Sequence, residues 1–331
     1  MPSPEARRLC IPAFLAGVAA AFAPRFNKEL KAAIDECTQA SSIGECAEPH
    51  GAIGVWNVSV ITDMEHLFSQ AVSFNQDLSA WDVSAVTSMS DMFFLAKRFN
   101  QDLSKWDVSS VRHMHDMFYV ARSFNQKLST WDVSGVVNMG YMFAKARMFK
   151  QDLSKWDVSA VTDMRRMFYH APGFGLGSNP NSDLSAWDVS AVKDMRGMFG
   201  GARNFNQNLS AWDVSAVTDM RWMFQDARSF NQILCGVSWV NSKAKNTDIL
   251  KYTHGSISST VCTTTSQTIM TMTSTVKSEA TTRAVVIAIG TTTAINAKTA
   301  SVDQLDDYVA DIAAPRVFAA FGVTVGLLVL S

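Results

Sequence analysis

Six aspartates recur in step along the chain: Asp82, Asp107, Asp132, Asp157, Asp188 and Asp213, each directly after a tryptophan and two residues before a serine. Asn57 holds the same place in the first copy. Carboxylates filed on neighbouring coils repel one another, and two arrangements answer that. In one, each carboxylate accepts hydrogen bonds from the N–H and hydroxyl groups of its own turn, the ordinary use of Asp before Ser. In the other, calcium lies along the file, because carboxylate oxygens suit a hard cation. No Asp-Gly-rich calcium loop accompanies the file, so the turn reading leads.

A basic file runs beside it: Lys97, Arg122, Arg147, Arg203 and Arg228, with a second one at Arg165, Arg196 and Arg221. Such rows are either a solvated face paired with acids or a docking strip for an anionic polysaccharide or an acidic protein. His113 and His115 flank Met114, with Asp116 following. Residues two apart do not share a helix face, which makes this a weak metal pair. The sequence contains no Gly-rich phosphate loop, G-x-S-x-G or H-E-x-x-H, so neither an enzyme nor a cofactor is expected.

The elements that position these rows are repeated. Trp56, Trp81, Trp106, Trp131 and Trp156 are spaced by 25; Trp187 follows after an insertion near Gly175, and Trp212 returns to the period. A fixed period of this length is the mark of a solenoid or propeller. In each copy, residues such as Met89, Met92, Phe93 and Ala96 fall at helical spacing, with Thr87 or Ser88 as the cap and Asp63, Asp163, Asp194 and Asp219 at the helix start in other copies. Leu103, Trp106 and Val108 follow the L-x-x-L-x-L spacing of a short strand, with Asp107 and Ser109 on its other face. One strand–helix unit cannot bury both faces alone, so stacked copies must form ladders of Trp, Met and Phe. Asn75, Asn100, Asn125, Asn206 and Asn231 form a polar row suited to hydrogen bonds from coil to coil, broken at Lys150. Local bulges are expected there and at the insertion.

The units FNQDLSxWDVSxVTxMxxMFxxA resemble the 25-residue repeat of BspA-like leucine-rich-repeat surface proteins, over about Gly51 to Leu234. The resemblance implies an α/β solenoid, a right-handed leucine-rich-repeat-like stack of about seven strand–helix coils. It also implies cell-surface display and an adhesive or binding role, and it brings no catalytic residues.

Both ends carry segments of other kinds. Residues 1–23 read as a signal peptide, with Arg7 and Arg8 ahead of a run rich in small apolar residues. Residues 24–50 read as a helical N-terminal cap with Phe26, Leu30, Ile34 and Cys37 on one stripe and Asn27 capping. Residues 51–234 are the seven-copy solenoid and 235–262 a C-terminal cap that keeps Trp239. Leaving aside Cys10 in the leader, the cysteines are Cys37, Cys46, Cys235 and Cys262, a pair on each side of the repeats. In an oxidising compartment these make two local disulfides, 37–46 and 235–262.

From Ser256 to Ser301, 21 of 46 residues are Thr or Ser, which makes 263–308 a stalk rather than a core. The apolar run Ala284–Ile289 does not fit a fully solvated stalk. Residues 309–331 are a hydrophobic anchor, either a GPI signal or a tilted transmembrane helix. Asn57 and Asn208 begin N-glycosylation sequons, at repeat positions that neighbouring coils partly cover. A net charge of -1 gives no basic excess for nucleic acid. The expectation is a non-enzymatic, membrane-anchored protein of the secretory pathway that binds an extracellular protein or an anionic polysaccharide. The alternative is a structural wall or matrix spacer without a specific ligand.

Overall fold

The computed structural model describes residues 21–46, 49–175, 183–262, 285–286 and 327–328. The chain divides into two units, Met1–Cys262 and Thr263–Ser331.

The first unit opens with helix α1, Asn27–Ala40, which buries Leu30, Ala33, Ile34 and Cys37. Its stripe is the expected one except at the start. Phe26 is the N-cap residue in extended conformation, and its ring is 63% exposed. Asn27 does not cap; instead Glu29 reaches back to accept the Arg25 N–H at 2.7 Å. A disulfide joins Cys37 and Cys46, and a 3-10 turn at Ile53–Val55 leads into the first repeat.

The repeats are stacked through parallel bridges, one per coil. They link Asp63, Ser88, His113, Asn138, Asp163, Asp194, Asp219 and Lys245 in succession. The last of these lies in the segment assigned to the cap, so the stack gains an eighth rung. Lys245, Thr247, Ile249 and Lys251 accept hydrogen bonds from Met220, Trp222, Phe224 and Asp226 through their backbones. Beyond it, strand β1 (Ile233–Leu234) pairs in parallel with β2 (Ser256–Ile257), α2 (Val237–Val240) buries Trp239, and a disulfide joins Cys235 and Cys262.

Within a coil the expected strand and helix do not form. Among the described residues between Trp56 and Gln232 the backbone is a run of turns. The segment read as a helix carries the inter-coil ladder. Met89, Asp91, Phe93 and Leu95 donate to His113, His115, Met117 and Tyr119 of the next coil. Met92, Phe94 and Ala96 donate three residues back, to Met89, Asp91 and Phe93. The alternation requires the left-handed region at every fourth residue, as at His66 and Gln70, Asp91 and Leu95, or Asp116 and Val120, with φ between 55° and 65°. A helix directs all its N–H groups along its own axis and leaves none for a neighbour; here half of them bind the next coil. The segment read as a strand is also two turns, closed by Trp106 N–H to Leu103 O at 3.1 Å and Val111 N–H to Val108 O at 2.9 Å. Leu103, Trp106 and Val108 point inward and Asp107 and Ser109 outward.

The core is a set of columns. Phe68, Phe93, Phe118, Phe143, Phe168, Phe199 and Phe224 stack with centroids 5.4–5.8 Å apart. Phe74 to Phe230 make a second column beside it, at 6.0–6.4 Å. These are favourable offset-stacked distances. The insertion does not bulge these columns. Phe168 and Phe199 flank it at 5.7 Å, and Met164 still donates to Asp194 O at 3.0 Å.

Trp56 donates its indole N–H to the His50 and Gly51 carbonyls, and each later buried indole N–H finds a carbonyl one coil back. Trp81 donates to Ile53 O, Trp106 to Leu78 O, Trp131 to Leu103 O, Trp156 to Leu128 O, Trp187 to Leu153 O, Trp212 to Leu184 O and Trp239 to Leu209 O, at 2.8–3.0 Å. A ring this large, buried with its donor satisfied, explains why Trp recurs at this place. The asparagine row also bonds across coils, each Oδ1 accepting the N–H one repeat later (Asn75 from Asn100, Asn100 from Asn125, Asn125 from Lys150) at 2.8–3.0 Å. Lys150 takes part through its backbone and offers no side-chain acceptor to the coil after it.

In the second unit Val285–Val286 (β3) pairs antiparallel with Leu327–Leu328 (β4). The remainder of the segments read as stalk and anchor lies outside the described residues, as does the segment read as a leader up to Ala20. At the end of the segment read as a leader, Phe22 sets its ring edge-on to Trp56 at 4.9 Å, and its carbonyl accepts the Asn57 N–H at 2.9 Å. Among the described residues no helix is long and apolar enough to cross a membrane.

Candidate functional site: a variable ladder face with a basic groove

The aspartate file is consumed by its own turns. Oδ1 of Asp82, Asp107 and Asp132 accepts both the N–H and the hydroxyl of Ser84, Ser109 and Ser134, at 3.0–3.1 Å and 2.6–2.7 Å. Asp157, Asp188 and Asp213 accept the N–H of Ser159, Ser190 and Ser215 at 2.9–3.0 Å. The serine hydroxyl and amide hold the carboxyls of Asp82, Asp107, Asp132, Asp157 and Asp188 below the ordinary range. The neighbouring coil's carboxylate is a weaker, opposing influence on Asp107, Asp132 and Asp157. A parallel file at Asp77, Asp102, Asp152 and Asp183 is used in the same way by Ser79, Ser104, Ser154 and Ser185.

The acids assigned to helix starts also cap turns. Asp163, Asp194 and Asp219 accept the N–H of Arg165, Arg196 and Arg221, and each pairs with that arginine's guanidinium. The second basic row is thereby neutralised in place.

The ladder segment is where the copies differ. At the left-handed position of Asp91 successive coils carry His66, Asp91, Asp116, Tyr141, Arg166, Gly197 and Trp222; four residues on they carry Gln70, Leu95, Val120, Lys145, His170, Gly201 and Asp226. Glycine relaxes this conformation, whereas another L-residue there costs about 1–2 kcal/mol. Only Gly197 and Gly201 take the relaxed option among these fourteen positions.

Part of the first basic row meets the second of these columns in a groove of about 390 Å³. It is lined by Val120, Arg122, Lys145, Arg147, His170, Pro172, Gly201 and Arg203. Pro172 stands in the basic column where a cation would fall, and Gly201 removes a side chain beside it; a Cβ at Gly201 would run into the His170 ring. The imidazole therefore lies over that glycine, and the cations line the groove beside it. Lys145 is steadied by the Tyr119 hydroxyl at 3.1 Å. Arg203 lies 3.6 Å from Asp226, which Arg228 also holds at 2.8 Å. Among the described residues Arg122 and Arg147 have no acidic partner, and both are exposed. Burial pushes the His170 imidazole pKa down; Asp226 opposes this, and Lys145 and Arg203 add to it. Lys97 and Arg228, in the same sequence file, do not line the groove; Lys145 and His170, outside that file, do.

Next to the groove, toward the N-terminal end of the face, the first coils carry acids and imidazoles. His115 Nε2 lies 3.5 Å and His66 Nδ1 3.9 Å from Asp91 Oδ2. Burial, then the charge of Asp91, raises Asp116 to about 6; burial also raises Asp91. His113, the other half of the sequence pair, is exposed and serves as a bridge residue. Both sequon asparagines, Asn57 and Asn208, are exposed rather than partly covered.

The repeats match a family model described as Mycoplasma protein of unknown function, DUF285, over residues 37–156, 106–179 and 149–260. These matches together span most of the chain, which belongs to that repeat family. No curated protein and no solved structure matches it.

Proposed function

We propose that the chain is a non-enzymatic surface protein whose ladder face binds an anionic partner, with a sulfated or carboxylated polysaccharide as the ligand class. The observation that carries this reading is the groove. Arg122, Lys145, Arg147 and Arg203 converge around a groove that Pro172 and Gly201 also line, and three of the four (Arg122, Lys145 and Arg147) lack any acidic partner among the described residues. Planar guanidinium forks suit carboxylate and sulfate bidentately. On this reading the stack is a leucine-rich-repeat-like solenoid akin to the BspA-like surface proteins. It reaches the cell surface through the secretory pathway and is held there by its C-terminal segment.

The test is retention of the purified protein on an immobilised sulfated polysaccharide, against a neutral dextran control. Retention that weakens with salt, and that falls in Arg147→Glu, supports the groove. Equal behaviour on the neutral matrix, or an unchanged Arg147→Glu profile, refutes it.

A further inference from the structure

We propose that Asp91, His115 and Asp116, with His66 beside them, form a binding site for a divalent transition-metal ion of the zinc class. Among the described residues these first three are the group whose ligand atoms all lie within 4.8 Å of one another. The argument is geometric. A separation of 3.5 Å from His115 Nε2 to Asp91 Oδ2, or 3.9 Å from His66 Nδ1, is long for a hydrogen bond. It is close to the edge of a ligand tetrahedron, which is about 3.4 Å for metal–ligand distances near 2.1 Å. The atoms stand apart by roughly the space an ion occupies.

The imidazole is also set for ligation. Ser90 Oγ lies 2.9 Å from His115 Nδ1, which leaves Nε2 facing the carboxylates. Ser90 is 1% exposed, and it and Ser88 are the buried polar residues of the described core. Ser88 Oγ lies 3.2 Å from Ser90 and 2.7 Å from Glu65 Oε1, so the chain from acid to imidazole is continuous. A hydrogen-bonded Nδ1 that orients the ligating Nε2 is the usual outer shell of a histidine–metal site. Mixed imidazole and carboxylate donors favour zinc-class ions, whereas calcium prefers oxygen alone. Gly140 takes the place of His115 in the following coil, and Arg165 lies over it, 3.3 Å from where a Cβ would be. The site is therefore bounded by a cation on one side and open to solvent on the other.

Full-length, untagged protein is stripped with chelator and titrated calorimetrically with Zn²⁺, and separately with Co²⁺ while its visible spectrum is recorded. The expected result is one site per chain, with the intense absorption of four-coordinate Co²⁺. His115→Gln and Asp116→Asn should abolish that site. Ser90→Ala should weaken it roughly 10–100-fold, and His113→Gln should leave it unchanged. Unaltered tryptophan fluorescence checks that each variant is folded. No stoichiometric Zn²⁺ uptake, uptake that survives His115→Gln, an equal loss in His113→Gln, or binding of Ca²⁺ in place of Zn²⁺ would each overturn the proposal.

Discussion

The turn segment and the ladder segment of each coil are built from the same number of copies and treat their side chains in opposite ways. In the turn segment the tryptophan, the two aspartates and their serines recur almost unchanged; the indoles bond to backbone carbonyls, and the aspartates accept from the serines of their own turns. In the ladder segment the inward Met and Phe recur, but the outward residues run from His and Asp through Tyr and Lys to Arg and Trp. The first segment is architecture, with little chemistry left over. The second keeps unlike side chains at backbone positions where glycine would be cheaper. Local cost of this kind is a reason to look for recognition there.

The largest effect that would break this contrast lies in the core of the turn. Trp131→Ala should cost about 3–5 kcal/mol through the cavity it leaves. Trp131→Phe should cost about 1–3 kcal/mol because the Leu103 carbonyl loses its donor. Urea denaturation of both variants measures the difference; a Phe variant as stable as the parent would deny the indole bond its role.

Next in size is the left-handed column. Gln70, exposed at φ 65°, should gain about 1 kcal/mol on replacement by glycine. Gly201→Ala should lose at least that much, because it adds a clash with His170 to the strain. Opposite signs in a thermal melt are the expected outcome.

A smaller effect sharpens the contrast through pH. The carboxyls of Asp82, Asp107, Asp132, Asp157 and Asp188 titrate below their unfolded value. Their contribution is therefore fully present above the unfolded pKa near 4 and is lost as pH falls through the depressed folded value. Asp132→Asn should be less stable than the parent at pH 7, and the gap should close on acidification below about pH 4. A gap independent of pH would mean that the charge is not what the Ser134 turn uses. Smallest of all, Arg147→Gln should change stability by less than about 0.5 kcal/mol, as expected for an exposed cation without a partner.

Much of this was legible along the chain. The period, the inward columns and the cysteine pairs flanking the repeats all come from residue type and spacing. The coil-to-coil asparagine bonds follow from the same register. The backbone was misread because Met89, Met92, Phe93 and Ala96 satisfy a helical spacing while their turns face inward for another reason. Left-handed residues were invisible because side chains, not glycines, occupy most of those places. Along the chain His115 stands beside His113, whereas its partners Asp91 and Ser90 belong to the coil before. The period of 25 did hold that signal: His66, Asp91 and Asp116 are one column, and so are Ser90 and His115. The groove lies in the same columns, where Pro172 falls in the basic file between Arg147 and Arg203 and Gly201 follows His170.

The most direct test of the division between the two segments compares matched charge removals on a sulfated polysaccharide matrix. One variant carries Arg122→Gln and Arg147→Gln on the ladder face. The other carries Lys105→Gln and Lys155→Gln, exposed cations of the turn segment. Both lose the same net charge. The account predicts that the first elutes at clearly lower salt than the parent and the second close to it. Equal shifts for the two would mean that binding follows total charge, and would contradict a recognition site on the ladder face.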